Sequence, residues 1–167
     1  MLATASKNQI LMARVAVIFM IAFLVIGAFT YGFSAEVRER VWRDLVERPD
    51  GIMKFRFILQ PVMATIAALH DGVKDAKLRR SPYFWALLTN SSERVGRLEE
   101  GVISTARVLL LGLVMDTVYQ LIELKAFYPA EAVIVAIVLA FVPYLILRGP
   151  IARIARWRLD AASKDSQ

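Results

Sequence analysis

Asp71 and Asp75 stand four residues apart in the run His70-Asp71-Gly72-Val73-Lys74-Asp75-Ala76-Lys77. On a helix that spacing puts both carboxylates on one face, where they could bind Mg²⁺ close to a membrane. A second acid, Asp116, falls inside a long apolar stretch, where a carboxylate costs about 2.5–3.5 kcal/mol to insert. At 100° per residue Thr105, Gly112, Asp116, Tyr119, Gln120 and Glu123 share one helix face. That face could carry protons or ions, form a packing seam, or meet a polar group on another protein, and partner contact is the preferred expectation. Arg107, nine residues before Asp116, projects from the opposite side and cannot pair with it. The chain has no Cys and one His, which excludes a disulfide framework, a thiolate metal site, a cysteine nucleophile and most zinc chemistry. The expectation is therefore no catalytic residue, no metal and no cofactor.

The elements that must position these groups are hydrophobic. Of 167 residues, 57% are apolar, and the mean hydropathy of +0.52 is far above that of a water-soluble domain. Residues 15–33 carry no charged residue and read as a retained transmembrane helix, too long for the apolar core of a signal peptide. Two further spans are expected over 103–123 and 130–148, joined by a tight turn. Pro129 suits the first turn of the last span, and Glu131 its positive end. Gly149-Pro150 is expected to end that helix.

Residues 54–70 are ambiguous: Phe57 to Leu69 is only 13 residues long and is broken by Gln60 and Pro61. Such a run is more often interfacial or re-entrant than spanning, which is the preferred expectation here. Glu36 to Arg48 reads as an amphipathic helix, and Tyr83-Phe84-Trp85 after Arg79 and Arg80 as an interfacial anchor. Asn90-Ser91-Ser92-Glu93 has the form of a helix N-terminus that runs into the 103–123 span. The fold class expected is all-α integral membrane: three transmembrane helices, one short interfacial or re-entrant helix, and amphipathic cytoplasmic helices.

Lys and Arg gather on the cytoplasmic side of short loops. The turn after residue 123 holds one, and residues 148–167 hold five, so the C-terminus is expected in the cytoplasm. If residues 57–69 do not cross, the N-terminus is outside and the tally is 17 inside against three outside. If they do cross, both termini are inside and the tally is 13 against seven. Charge alone favours three spans. The segment 150–158, with Arg148, Arg153, Arg156, Arg158 and Trp157, is expected to contact anionic phospholipid rather than nucleic acid.

The Asp71 run resembles the D-G-x-x-A-R opening of the CDP-alcohol phosphatidyltransferases, which would imply a membrane lipid head-group enzyme using Asp71 and Asp75. It departs from that pattern: Ala76 is one place late, Lys77 replaces Arg, and the later acidic residues have no counterpart. The simpler reading has Asp71-Gly72 in a turn and Asp75, Lys74 and Lys77 on a solvated face. Over residues 55–156 the chain also resembles a group of small bacterial integral membrane proteins with no assigned activity, through Asp116-x-x-Tyr119-Gln120 and Tyr128-Pro129-x-Glu131. That resemblance implies a multi-pass protein of the bacterial inner membrane. The function expected is a non-catalytic accessory or scaffold subunit whose partners are other integral membrane proteins, anionic phospholipids or copies of itself. It would dock through the Asp116 face and the 36–48 helix. A small transport component using Asp116 is the alternative.

Overall fold

A computed structural model describes residues 5–32, 39, 42 and 55–164. The expected amphipathic segment 36–48 lies outside the described residues except for Glu39 and Trp42, which are helical and exposed. Every element among the described residues is a helix: α1 (Lys7–Tyr31), α2 (Arg56–Lys77), α3 (Tyr83–Thr89), α4 (Ser91–Tyr119), α5 (Pro129–Ala136) and α6 (Val142–Lys164). A π-helical turn, Gln120–Leu124, extends α4, and another, Ile137–Phe141, joins α5 to α6 without a break. Three of these units are long and apolar enough to cross a membrane: Lys7–Tyr31, Ser91–Leu124 and Pro129–Ser163. The protein is thus an all-helical chain suited to multiple membrane passes.

Local chemistry explains the helix starts. Ser6 caps α1 in a reciprocal box, its hydroxyl taking the Gln9 N–H while Gln9 Oε1 takes the Ser6 N–H at 2.8 Å. Asn90 precedes α4 and Glu93 sits in its first turn, and the helix runs unbroken into the apolar span. Pro129 opens α5, with Glu131 in the positive first turn.

Two boundaries differ from expectation. The helix that enters at Arg56 does not stop near residue 70 but continues to Lys77, about 33 Å at the α-helical rise. Gly72 makes no turn. It lies in the helix where a Cβ would come within 2.7 Å of Ile151 Cγ2 and 3.0 Å of the Arg148 carbonyl, so its missing side chain lets α2 and α6 approach. Nor does Gly149-Pro150 end the last helix, which passes through Pro150 to Lys164. The hydrogen bond that Pro150 cannot make is offset by docking beyond it: Ala152 is buried, Arg156 Nη2 donates to the Arg80 carbonyl at 2.6 Å, and Arg79 meets Asp160 at 3.2 Å.

The register follows from paired residues. Gln60 and Ala136 both sit against Gly112, Asp71 bonds Tyr144, and Asp75 bonds Arg148 and Arg97. Hence α2 runs parallel to α6 and antiparallel to α4. The buried stripe of α2 (Gln60, Ala64, Ala68, Gly72, Ala76) repeats every fourth residue, and its small side chains admit the neighbouring backbones. Ile58, Val62, Ile66 and Leu69 point outward. Helix α1 is held less tightly, with 17% of its most apolar stretch buried against 44% for the other two units. Gly27 touches Ala130, and Phe23 and Tyr31 pack on Phe127 and Tyr128. The other end of α1 lies against Ile103–Arg107. The start of α1 and the later part of α6 therefore come to one end of the bundle, the end holding Asp75, and the turn Lys125–Tyr128 lies at the other.

Candidate functional site

Charged residues of α2, α4 and α6, with Arg80 from the loop before α3, meet in one buried cluster. Asp75 is 1% exposed. Its Oδ2 accepts from Arg148 Nε at 2.8 Å, and its Oδ1 from Arg148 Nη2 at 3.1 Å and Arg97 Nη1 at 3.0 Å. Arg80 stands 3.6 Å away. Glu100 is held by Arg80 Nη1 at 2.9 Å and Arg148 Nη2 at 3.1 Å. The Tyr144 hydroxyl donates to Asp71 Oδ2 at 2.7 Å and accepts from Arg148 Nη1 at 2.6 Å. Asp71 is further in contact with His70 Nδ1 at 3.2 Å. Three guanidiniums thus face the carboxylates of Asp71, Asp75 and Glu100.

Tyr83, at the start of α3, closes the cluster from below. Its ring lies 4.1 Å from the Arg148 guanidinium carbon, a cation–π contact. Its hydroxyl donates to the Arg97 carbonyl at 2.7 Å. Burial, aided by the Glu100 carboxylate and opposed by Arg148 and Arg97, pushes the Tyr83 phenol up to about 12. With Tyr83 and Ala86 turned inward, α3 shows Phe84, Trp85 and Leu88 on its outer face.

This arrangement corrects two expectations. Asp71 and Asp75 do share a helix face, yet that face is buried, not solvated, because α6 brings a base and a phenol against it. Among the described residues no group of three His, Cys, Asp or Glu is placed to hold a metal ion. Arg148, expected at the lipid surface, is 2% exposed and belongs to the cluster. Of its expected companions, Arg153 and Arg158 are exposed, while Arg156 is half-buried and turned toward Arg80.

The Asp116 face also turns inward. Thr105, Gly112, Asp116 and Gln120 are buried, Tyr119 is half-exposed and Glu123 is exposed. Presentation of this face to a partner is therefore corrected: it is an interior seam, since α2 and α5 cover it. Gln120 organises its far end. Its Nε2 donates to Asp116 Oδ2 at 2.6 Å and to the Tyr128 carbonyl at 3.2 Å. Its Oε1 accepts from the Tyr128 N–H at 2.6 Å. One side-chain amide thereby satisfies both backbone groups of Tyr128 and closes the turn. Thr105 bonds back to the Gly101 carbonyl in its own helix.

Sequence reasoning passed over Gln60 as a mere interruption. It is fully buried, and neither amide atom has a hydrogen-bond partner. Its position on the fourfold stripe of Ala64, Ala68 and Gly72 was the available signal that it faces inward. Arg97 and Glu100 were likewise unremarked, because their partners come from other helices. No family model, no curated protein and no solved structure matches this chain.

Proposed function

We propose that the protein is a non-catalytic accessory or scaffold subunit of a larger complex in a bacterial inner membrane. The observation that carries this reading is the occupation of its acids. Asp71, Asp75 and Glu100 are each bound by Arg or Tyr from another helix, and Asp116 by Gln120. Groups that could do chemistry on a ligand instead tie the bundle together. The surfaces available for docking are the lipid-facing side of α1, with Leu11, Ile18 and Phe29 exposed, and the 36–48 segment bearing the exposed Trp42. Extraction in mild detergent at native expression, followed by native-gel sizing, tests the proposal. A second membrane protein at fixed stoichiometry is expected; a lone 18.8 kDa chain overturns it.

The reading includes a topology. Helix α2 crosses the membrane as a fourth pass, and both termini with the ion cluster lie in the cytoplasm. Support for the crossing comes from its length and from its register antiparallel to α4; charge, which alone favours three spans, then sets only the orientation. The side with both termini then holds 13 Lys and Arg against seven. Arg153 and Arg158 contact anionic lipid on that side.

A second reading, an ion- or proton-conducting component, draws on one observation: Asp116 shares its interior seam with the unpaired amide of Gln60. Under it, Asp116→Asn abolishes flux in proteoliposomes while assembly persists.

A further inference from the structure

Every guanidinium of the cluster faces a carboxylate. Arg107 does not: it is exposed on α4, and no ion pair joins it to any described residue. It is also the last charge before eight uncharged residues, Val108 to Met115, which places it where apolar chain meets head group. An Arg at that depth reaches toward phosphate.

Beside it lies a groove of about 120 Å³ between α1 and α4, lined by Gln9, Met12, Ile103, Ser104, Ala106 and Arg107. The capping box fixes Gln9 by its Oε1, which leaves Nε2 as a donor. Ser104 also lines the groove. Two donor groups of different kind, an amide and a planar guanidinium, therefore border a groove whose walls are the thioether of Met12 and the aliphatic Ile103. Arg14 supplies a contrast. It stands two residues beyond Met12, near the depth of Arg107, but about 200° around α1 from Met12 by helical phase, away from the groove.

We propose that this groove binds the phosphate of a membrane glycerophospholipid, held by Arg107 and Gln9, with the first acyl carbons against Met12 and Ile103. The fork of a guanidinium matches two phosphate oxygens. Phosphate is shared by lipid and free ion, and the apolar walls favour the lipid.

Native mass spectrometry of the full chain from detergent tests this with three probes: dioleoyl phosphatidylglycerol, dioleoylglycerol and inorganic phosphate. The expected result is retention of phosphatidylglycerol but not of dioleoylglycerol. Arg107→Gln weakens retention about fivefold, Arg107→Lys restores part of it, and Arg14→Gln leaves it unchanged. Equal loss in Arg107→Gln and Arg14→Gln means general attraction and overturns the proposal. Binding of inorganic phosphate without retention of the lipid overturns the lipid assignment. If Arg107→Gln fails to fold, photo-crosslinking of the unaltered protein with a diazirine-bearing phosphatidylglycerol decides. Adducts at Met12 or Ile103 support the site, and adducts only elsewhere overturn it.

Discussion

Arg148 meets Asp75 side-on, its Nε on one carboxylate oxygen at 2.8 Å and its Nη2 on the other at 3.1 Å, with both side chains withdrawn from solvent. Such a two-point contact holds α2 and α6 in both position and rotation. Removing one member leaves the other charged and buried, which is the costly case. Arg148→Gln should destabilise the protein by about 3 kcal/mol, within the range for broken buried pairs. Arg153→Gln, on the exposed side of the same helix, should change stability by under about 0.5 kcal/mol. Adding Asp75→Asn to Arg148→Gln should recover part of the loss. Denaturation followed by far-UV circular dichroism in one detergent measures all three, and equal effects of the two Arg substitutions would refute the role given to Arg148.

Two glycines separate packing from propensity. In α2, Gly72→Ala should lower stability, because its Cβ would meet Ile151 Cγ2 at 2.7 Å and the Arg148 carbonyl at 3.0 Å. In α4, Gly96 has nothing within 4 Å, and Gly96→Ala should raise stability by about 0.5–1 kcal/mol. The same denaturation assay reads both signs.

Gln60 presents an unpaired amide to the bundle interior. Met has nearly its shape and no hydrogen-bonding demand, so Gln60→Met should stabilise the protein by about 1–3 kcal/mol. A loss of stability would mean that the amide serves a bound group.

Tyr83 sets the alkaline limit of the fold. Its phenol is pushed up to about 12 in the folded protein against 10.0 when free. The folded state therefore holds that proton more tightly, and the resulting stability is present in full below pH 10.0 and is lost as pH rises toward about 12. Thermal midpoints measured from pH 8 to pH 11 should fall at the upper end, and Tyr83→Phe should flatten that fall while lowering stability throughout, since the bond to the Arg97 carbonyl is gone.

The proposed topology is testable with single cysteines, because the chain has none of its own. Ser6→Cys and Ser163→Cys should react with a membrane-impermeant maleimide from one side, and Lys125→Cys from the other. Labelling of the first two from opposite sides would show that α2 does not cross.

What could be read from the sequence was whatever lies within one helix. Uncharged length revealed the long apolar helices, and Asn90 and Pro129 marked two of their starts. Helical phase correctly grouped Thr105, Gly112, Asp116 and Gln120, though not the side from which they are covered. The failures share a cause. Asp75 looked solvated beside Lys74 and Lys77, and Arg148 looked lipid-bound beside Arg153, because their mutual contact spans 73 positions. Spacing within a helix carries no information about such a meeting. Pro150 misled for the same reason: its local cost is visible, whereas the Arg80 and Arg79 contacts that outweigh it are not.

The route by which the ion cluster is built bears on biogenesis. Its members enter at residues 71–75, 80, 97–100 and finally 148, so a ribosome delivers the acids well before the base that locks them. Until the last helix inserts, Asp75 and Glu100 have only Arg97 and Arg80 as counter-ions, and α2 has no parallel neighbour. A chain truncated before Arg148 would thus leave its early helices unlatched at the end of the bundle that holds Asp75.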